Sequence, residues 1–146
     1  METPVFKIIV LALDGSHASD RAVDIGASLA QLAGSRIVAV HVVEHIAAGH
    51  SVAAPVHSDE ADLRAKIEAQ IASLRETGID ATVRVENVIL GGPAKAISDV
   101  AREESAELIV TGTRGHTAVA GLVLGSVAQR LLHLSPCPVL VVPAHD

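Results

Sequence analysis

The chain has 146 residues and a formal net charge of −6, and 49% of it is hydrophobic, almost wholly Ala, Val, Ile and Leu because Phe6 is the only aromatic residue. That length leads us to expect a single domain over residues 1–146, and an acidic balance without a basic run excludes a nucleic-acid surface, which needs clustered Lys and Arg to displace phosphate counterions. Cys137 is the only cysteine, so no intrachain disulfide can form, and with no cleavable leader and no apolar run of membrane-spanning length the expectation is a cytoplasmic protein.

Val5 to Leu13 is apolar except for Lys7, the pattern of a strand buried on both faces of a parallel sheet. After the turn Asp14-Gly15-Ser16, apolar residues at Ala18, Ala22, Ile25, Leu29 and Leu32 predict a helix with that inward face, stopped at Gly34. Ile37 to Val43 predicts the second strand. The fourteen-residue connection Glu44 to His57, rich in Ala and His, reads either as a mobile lid over a site or as an insertion without a role.

Ser58 with Asp59, Glu60 and Asp62 opens a second helix, with Leu63, Ile67, Ile71 and Leu74 inward and Gly78 at its end. Ala81 to Leu90 sets Thr82, Arg84 and Glu86 against Val83, Val85 and Asn87, as in an edge strand. Gly91-Gly92-Pro93 starts a third helix, because proline at the first helical position has no N–H to waste, and Ala94, Ile97, Val100 and Ala101 form its buried stripe. Leu108 to Thr111 is the fourth strand. Val127, Ala128, Leu131 and Leu132 give a fourth helix that ends before Ser135-Pro136-Cys137-Pro138, and Val139 to Val142 is the fifth strand. This alternation predicts an α/β fold: an open doubly wound five-stranded parallel sheet, order 3-2-1-4-5, with helices on both faces.

In such a sheet ligands bind outside the carboxyl ends of the strands, where strand order reverses. That rule gathers Asp14, Val42 to Glu44 and Gly112 to Gly115 at one crevice. Gly112-Thr113-Arg114-Gly115, nine residues and Gly125-Ser126 read as a phosphate-holding loop from strand to helix, since glycine lets backbone N–H groups approach an anion. A Walker loop would place Lys after the glycines, and the dinucleotide fingerprint GxGxxG is missing. What remains is anion binding by the backbone of Gly112, Thr113, Arg114, Gly115, His116, Thr117 and Ala118, helped by the Ser126 hydroxyl and the start of the fourth helix. Arg114 is the one cation expected nearby, and His116 either bonds an anion when protonated or is incidental.

Bland readings stand beside these: glycines after a strand serve turns, Asp14 caps a helix, and Cys137 packs. His41, His45, His50 and His57 match no zinc spacing and read as solvated loop histidines, so no metal is expected. Nothing in the residue order supports a fast hydrolase or kinase.

GTRG, nine residues and GS before Pro138-Val139-Leu140-Val141-Val142, with Asp14-Gly15-Ser16, His41-Val42 and Gly91, Pro93-Ala94, resembles the universal stress protein family over essentially the whole chain, and within it the ATP-binding members. The resemblance implies Asp14, with the Ala12 backbone beside it, at the ribose and adenosine end, and Val42 offering its backbone to adenine. It also implies that the glycine loop and Gly125, Ser126 and Val127 wrap ribose and phosphates. One departure is that His116 to Leu124 carries no Lys or Arg, where many relatives are basic, which weakens the hold on a triphosphate. The implied function is an ATP-binding stress-response or signalling protein, with or without magnesium, whose nucleotide state modulates a surface or assembly. The implied partner is a second copy, paired antiparallel through Val139 to Val142. Two alternatives remain open: a nucleotide-free dimeric interaction module, and a slow ATP hydrolase or nucleotidyl-transfer enzyme.

Overall fold

A computed structural model describes residues 5–46, 54–55, 59–89, 92–113 and 124–144. The elements are β1 (Ile8–Ala12), α1 (His17–Ala33), β2 (Arg36–Ile46), α2 (Glu60–Glu76), β3 (Ala81–Ile89), α3 (Pro93–Glu103), β4 (Leu108–Gly112), α4 (Ser126–Leu134) and β5 (Val139–Val142). All five strands are parallel in the order β3-β2-β1-β4-β5, as expected from the alternation of elements. Beside them, Ala54–Pro55 pairs antiparallel with His45 and Ile46.

Strand alternation divides the core into two layers. Ile9 and Leu11 of β1 and Ile37 and Ala39 of β2 face α1 and α2, where they meet Ala22, Val23, Ile67 and Ile71. The intervening Val10, Ala12, Val38 and Val40 face α3 and α4, meeting Ala94, Ile97, Val100 and Leu131. Order reverses between β1 and β4, whose register runs from Ile9 opposite Leu108 to Ala12 opposite Thr111.

Three expectations need correction. The inward face of α1 is Ala18, Ser19, Ala22, Val23, Gly26 and Ala30, while Ile25 is 36% and Leu32 85% exposed. The helix lies too close to β1 for bulky side chains, since a Cβ on Gly26 would run into the Leu11 side chain. On α4, Leu131 is fully buried but Leu132 is 53% exposed. Finally, β2 continues through Glu44 and His45 to Ile46, because β3 supplies partners as far as His45 opposite Ile89. The proposed connection therefore loses its first three residues to the strand, and most of the remainder lies outside the described residues.

The other elements follow their sequence signals. Ser16 caps α1 by accepting from the Ser19 N–H, and Gly34 ends it in the left-handed region at φ 68°. Leu63, Ile67, Ile71 and Leu74 are the buried residues of α2, and Pro93 opens α3. β3 is an edge, pairing only with β2 among the described residues. Its Arg84 reaches Glu86, Glu103 and Glu104, and Arg36 of β2 also pairs with Glu104. That network accounts for both charged residues of this strand, Arg84 and Glu86. No helix among the described residues is long and apolar enough to cross a membrane.

Candidate functional site

At the carboxyl ends of the strands, Glu44, Pro93, Ala94, Ser126, Val127 and Arg130 line an open groove of about 180 Å³. It lies on the α3/α4 side of the sheet. Ala12, Val42 and Val127 belong to the hydrophobic cluster on that side, so three of the residues named from the sequence are brought together.

Val42 has a particular backbone position. The Leu13 N–H donates to the Val40 carbonyl at 2.9 Å, which fixes the Val40 backbone toward β1. Two residues on, the Val42 N–H and carbonyl face the same way. The β1/β2 ladder stops at Ala12 opposite Val40, so they lie beyond its last rung. A ligand at the reversal point would meet a backbone donor and acceptor there, with no charged side chain needed.

The first turn beyond β1 is tightly organised. Asp14 Oδ1 accepts from the Ser16 N–H at 2.9 Å, and the Asp14 N–H donates to Ser19 Oγ at 3.2 Å. Gly15 has φ 79°, the left-handed backbone that glycine tolerates without penalty. Asp14 thus folds the turn, and the helix cap itself is Ser16.

The glycine loop is anchored at its two ends. The Thr113 N–H donates to the Val142 carbonyl at 2.9 Å, and the Gly125 N–H donates to the Thr113 carbonyl. These two amides are therefore committed to protein carbonyls. Gly112 serves the packing of β4 on the first turn of α1, where a Cβ would lie 2.7 Å from Ala18 Cβ. Arg114, Gly115, His116, Thr117 and Ala118 lie outside the described residues.

Two helices begin at the groove without a side-chain cap. Gly125 precedes α4 and Gly92 precedes α3, and neither can supply a capping oxygen. Within α4 the first intrahelical acceptance at this end is Gln129 N–H to Gly125 O, which leaves the Ser126, Val127 and Ala128 amides without intrahelical partners. Proline at the first position of α3 removes one such donor there.

Sequence reasoning missed Arg130. It lies one helical turn after Ser126, and a residue four positions on shares a face, which was the signal available. Arg114 is therefore not the one cation near the loop: Arg130 lines the groove and has no ion-pair partner among the described residues. Glu44 supplies a carboxylate to the same groove.

Read from sequence as a solvated loop histidine, His41 proves otherwise. It lies in β2 at 3% exposure, its Nε2 against Glu60 Oε1 and its Nδ1 3.4 Å from the Leu13 carbonyl. The isolated spacing of histidines gave no sign of this, since the partner is the first residue of a helix nineteen positions later.

Comparison with known proteins gives a consistent picture. The sequence pattern of the universal stress protein family matches residues 6–143. A Thermus aquaticus protein, described as the universal stress protein in the QAH/OAS sulfhydrylase 3′ region, is 38% identical over 141 residues, covering 94% of this chain and 99% of its own. A crystal structure of a universal stress protein family member from Burkholderia pseudomallei is 30% identical with a TM-score of 0.74, covering 97% and 99%. The universal stress protein from Archaeoglobus fulgidus in complex with dAMP has a TM-score of 0.68, covering 94% and 98%; its 21% identity makes it a likeness of fold.

Proposed function

The chain belongs to the universal stress protein family, and on that premise we propose that it binds an adenine nucleotide, ATP in particular, at the groove between α3 and α4. The observation that carries this reading is the meeting of two helix starts that lack a side-chain cap with an arginine that has no ion-pair partner among the described residues. Helix N-termini hold partial positive charge and orphan N–H donors, and a phosphate satisfies both. In this reading the Val42 backbone takes the adenine and Asp14 and Ala12 flank the ribose. The phosphates are met by Ser126, Val127, Arg130 and the loop Gly112 to Ala118. Glu44 accepts from ligand donor groups, such as a ribose hydroxyl. The dAMP bound to the Archaeoglobus fulgidus relative is consistent in ligand class.

Binding is the function in this account, with hydrolysis slow at most and magnesium accompanying the phosphates when present. The nucleotide state changes a surface or an assembly within the cytoplasm. That assembly is a homodimer through β5, an edge strand that pairs only with β4 among the described residues and leaves Leu140 37% exposed.

A second reading, a dimeric module without nucleotide, is favoured by the internal engagement of the Thr113 and Gly125 amides and by the packing role of Gly112. One experiment separates the two. The chain has no Trp and no Tyr, so retained nucleotide would dominate its near-ultraviolet spectrum. A band at about 260 nm, released on denaturation, or stabilisation by added ATP supports the nucleotide reading. Neither signal, together with a stable dimer, supports the module.

A further inference from the structure

We infer that His41, Glu60 and Lys66 are positioning residues, through which α2 holds the Asp14 turn in place for the nucleotide, an inference that rests on the nucleotide reading above. Two ties run from α2 to the end of β1. In the first, Glu60, the opening residue of α2, bonds the buried His41 ring, whose other nitrogen faces the carbonyl of Leu13. In the second, Lys66 Nζ donates to the Gly15 carbonyl at 2.8 Å. Leu13 and Gly15 flank Asp14 on either side, and His41 directly precedes Val42.

The chemistry makes these ties specific. Each His41 nitrogen faces an oxygen, so each contact needs one proton between nitrogen and oxygen, and a neighbour that cannot share it leaves a buried polar group unpaired. Hydrogen bonds to charged groups are the stronger class, and Lys66 brings a full charge to a backbone carbonyl. Lys66 also pairs with Asp20 at 2.9 Å, and Gln70 donates to Asp20 at 3.0 Å, so the grip extends to the first turn of α1. His41 and Val42 point to opposite faces of β2. The tether therefore works from beneath the sheet while the groove lies above it, so its residues set the site's geometry without touching the ligand.

The test is calorimetric titration with ATP of the full chain and of four variants. Glu60→Ala, which leaves His41 Nε2 without its partner, and Lys66→Met should each weaken binding about fivefold. Lys66→Arg, which still donates to the Gly15 carbonyl, should restore most of that loss. Arg102→Ala, a control on the far end of α3, should bind as the unsubstituted chain does. Lys66 is partly exposed, with a side chain 41% accessible, so its variants remain folded even where a change at Glu60 disturbs the buried histidine. Amide exchange adds a second readout: Gly15 and Ser16 should exchange faster in Lys66→Met and at the original rate in Lys66→Arg. Unchanged affinity in both Glu60→Ala and Lys66→Met overturns the positioning role, as does a loss in Lys66→Met that Lys66→Arg does not repair. Failure of the unsubstituted chain to bind ATP instead overturns the nucleotide reading itself, and with it the inference.

Discussion

A Cβ placed on Gly112 would stand 2.7 Å from the Ala18 Cβ and 2.9 Å from the Ala18 carbonyl carbon. The end of β4 and the start of α1 are in direct backbone contact, and only glycine permits it. Ala18 and Ser19 sit on a capped helical turn and have nowhere to retreat. Gly112→Ala should therefore destabilise the fold by about 1–3 kcal/mol, the usual cost of overpacking. Urea denaturation checks this, and ATP binding measured on the folded variant should fall as well, because the shift displaces the strand end that leads into the loop.

The two leucines at the centre of α4 should behave oppositely. Leu131 is fully buried against the α3/α4 core, and its replacement by Ala should cost about 2–5 kcal/mol. Leu132 is 53% exposed, and the same change there should stay within about 0.5 kcal/mol. Equal losses in thermal or urea unfolding would mean that the helix is rotated about its axis from the orientation seen.

These leucines also show where sequence reasoning reaches its limit. Strand order and helix count were legible because continuous apolar runs, Pro93 at a helix start and Gly34 at a helix end are local signals. Helix phase was not legible on α1, because the close contact of Gly26 with Leu11 selects a face of small residues and turns Ile25 and Leu32 outward. The groove was half legible. Ser126 and Val127 follow from the glycine pattern and Glu44 from its place at the carboxyl end of the second strand, whereas Arg130 enters only through helical geometry. The His41 and Glu60 pair was invisible for the same reason: nothing local to either residue names the other.

Glu104 carries a pH dependence. Hydrogen bonding from Arg36, joined by Arg84, holds its carboxyl below the ordinary glutamate value of 4.5. A depressed folded value means that the ionised form is favoured by folding, so this contribution is complete above about 4.5 and is lost as pH falls through the lower folded value. Glu104→Gln should cost about 0.5–1 kcal/mol at neutral pH, discounted for partial solvent access. In urea titrations the gap between the two proteins should close at strongly acidic pH, where both side chains are neutral.

Cys137 should be slow to react. Burial pushes its thiol above the ordinary value, against a smaller opposing effect of the Ser135 hydroxyl, and the thiolate is the nucleophile. Alkylation by iodoacetamide at neutral pH should run well below the rate for a small free thiol and should accelerate on unfolding. Ser135→Ala removes the hydroxyl that contacts the thiol and partly offsets the effect of burial, so labelling of the folded protein should slow further. A rate equal to that of free cysteine in the native protein would show the thiol to be open to solvent.

Arg130 gives the sharpest electrostatic prediction at the groove. Its guanidinium has no ion-pair partner among the described residues and shares the groove with the uncapped start of α4. Arg130→Gln keeps much of the side-chain bulk while removing the charge, so uniform packing effects are small. If the phosphates of ATP lie at Ser126 and Val127, affinity should fall about tenfold at low ionic strength, in line with the strength of charge-assisted hydrogen bonds. The difference should shrink in about 0.5 M salt, where the Debye length is only a few ångströms. AMP, with fewer phosphate charges, should lose less than ATP. A loss equal for both ligands and insensitive to salt would mean that Arg130 shapes the groove without contacting the phosphates.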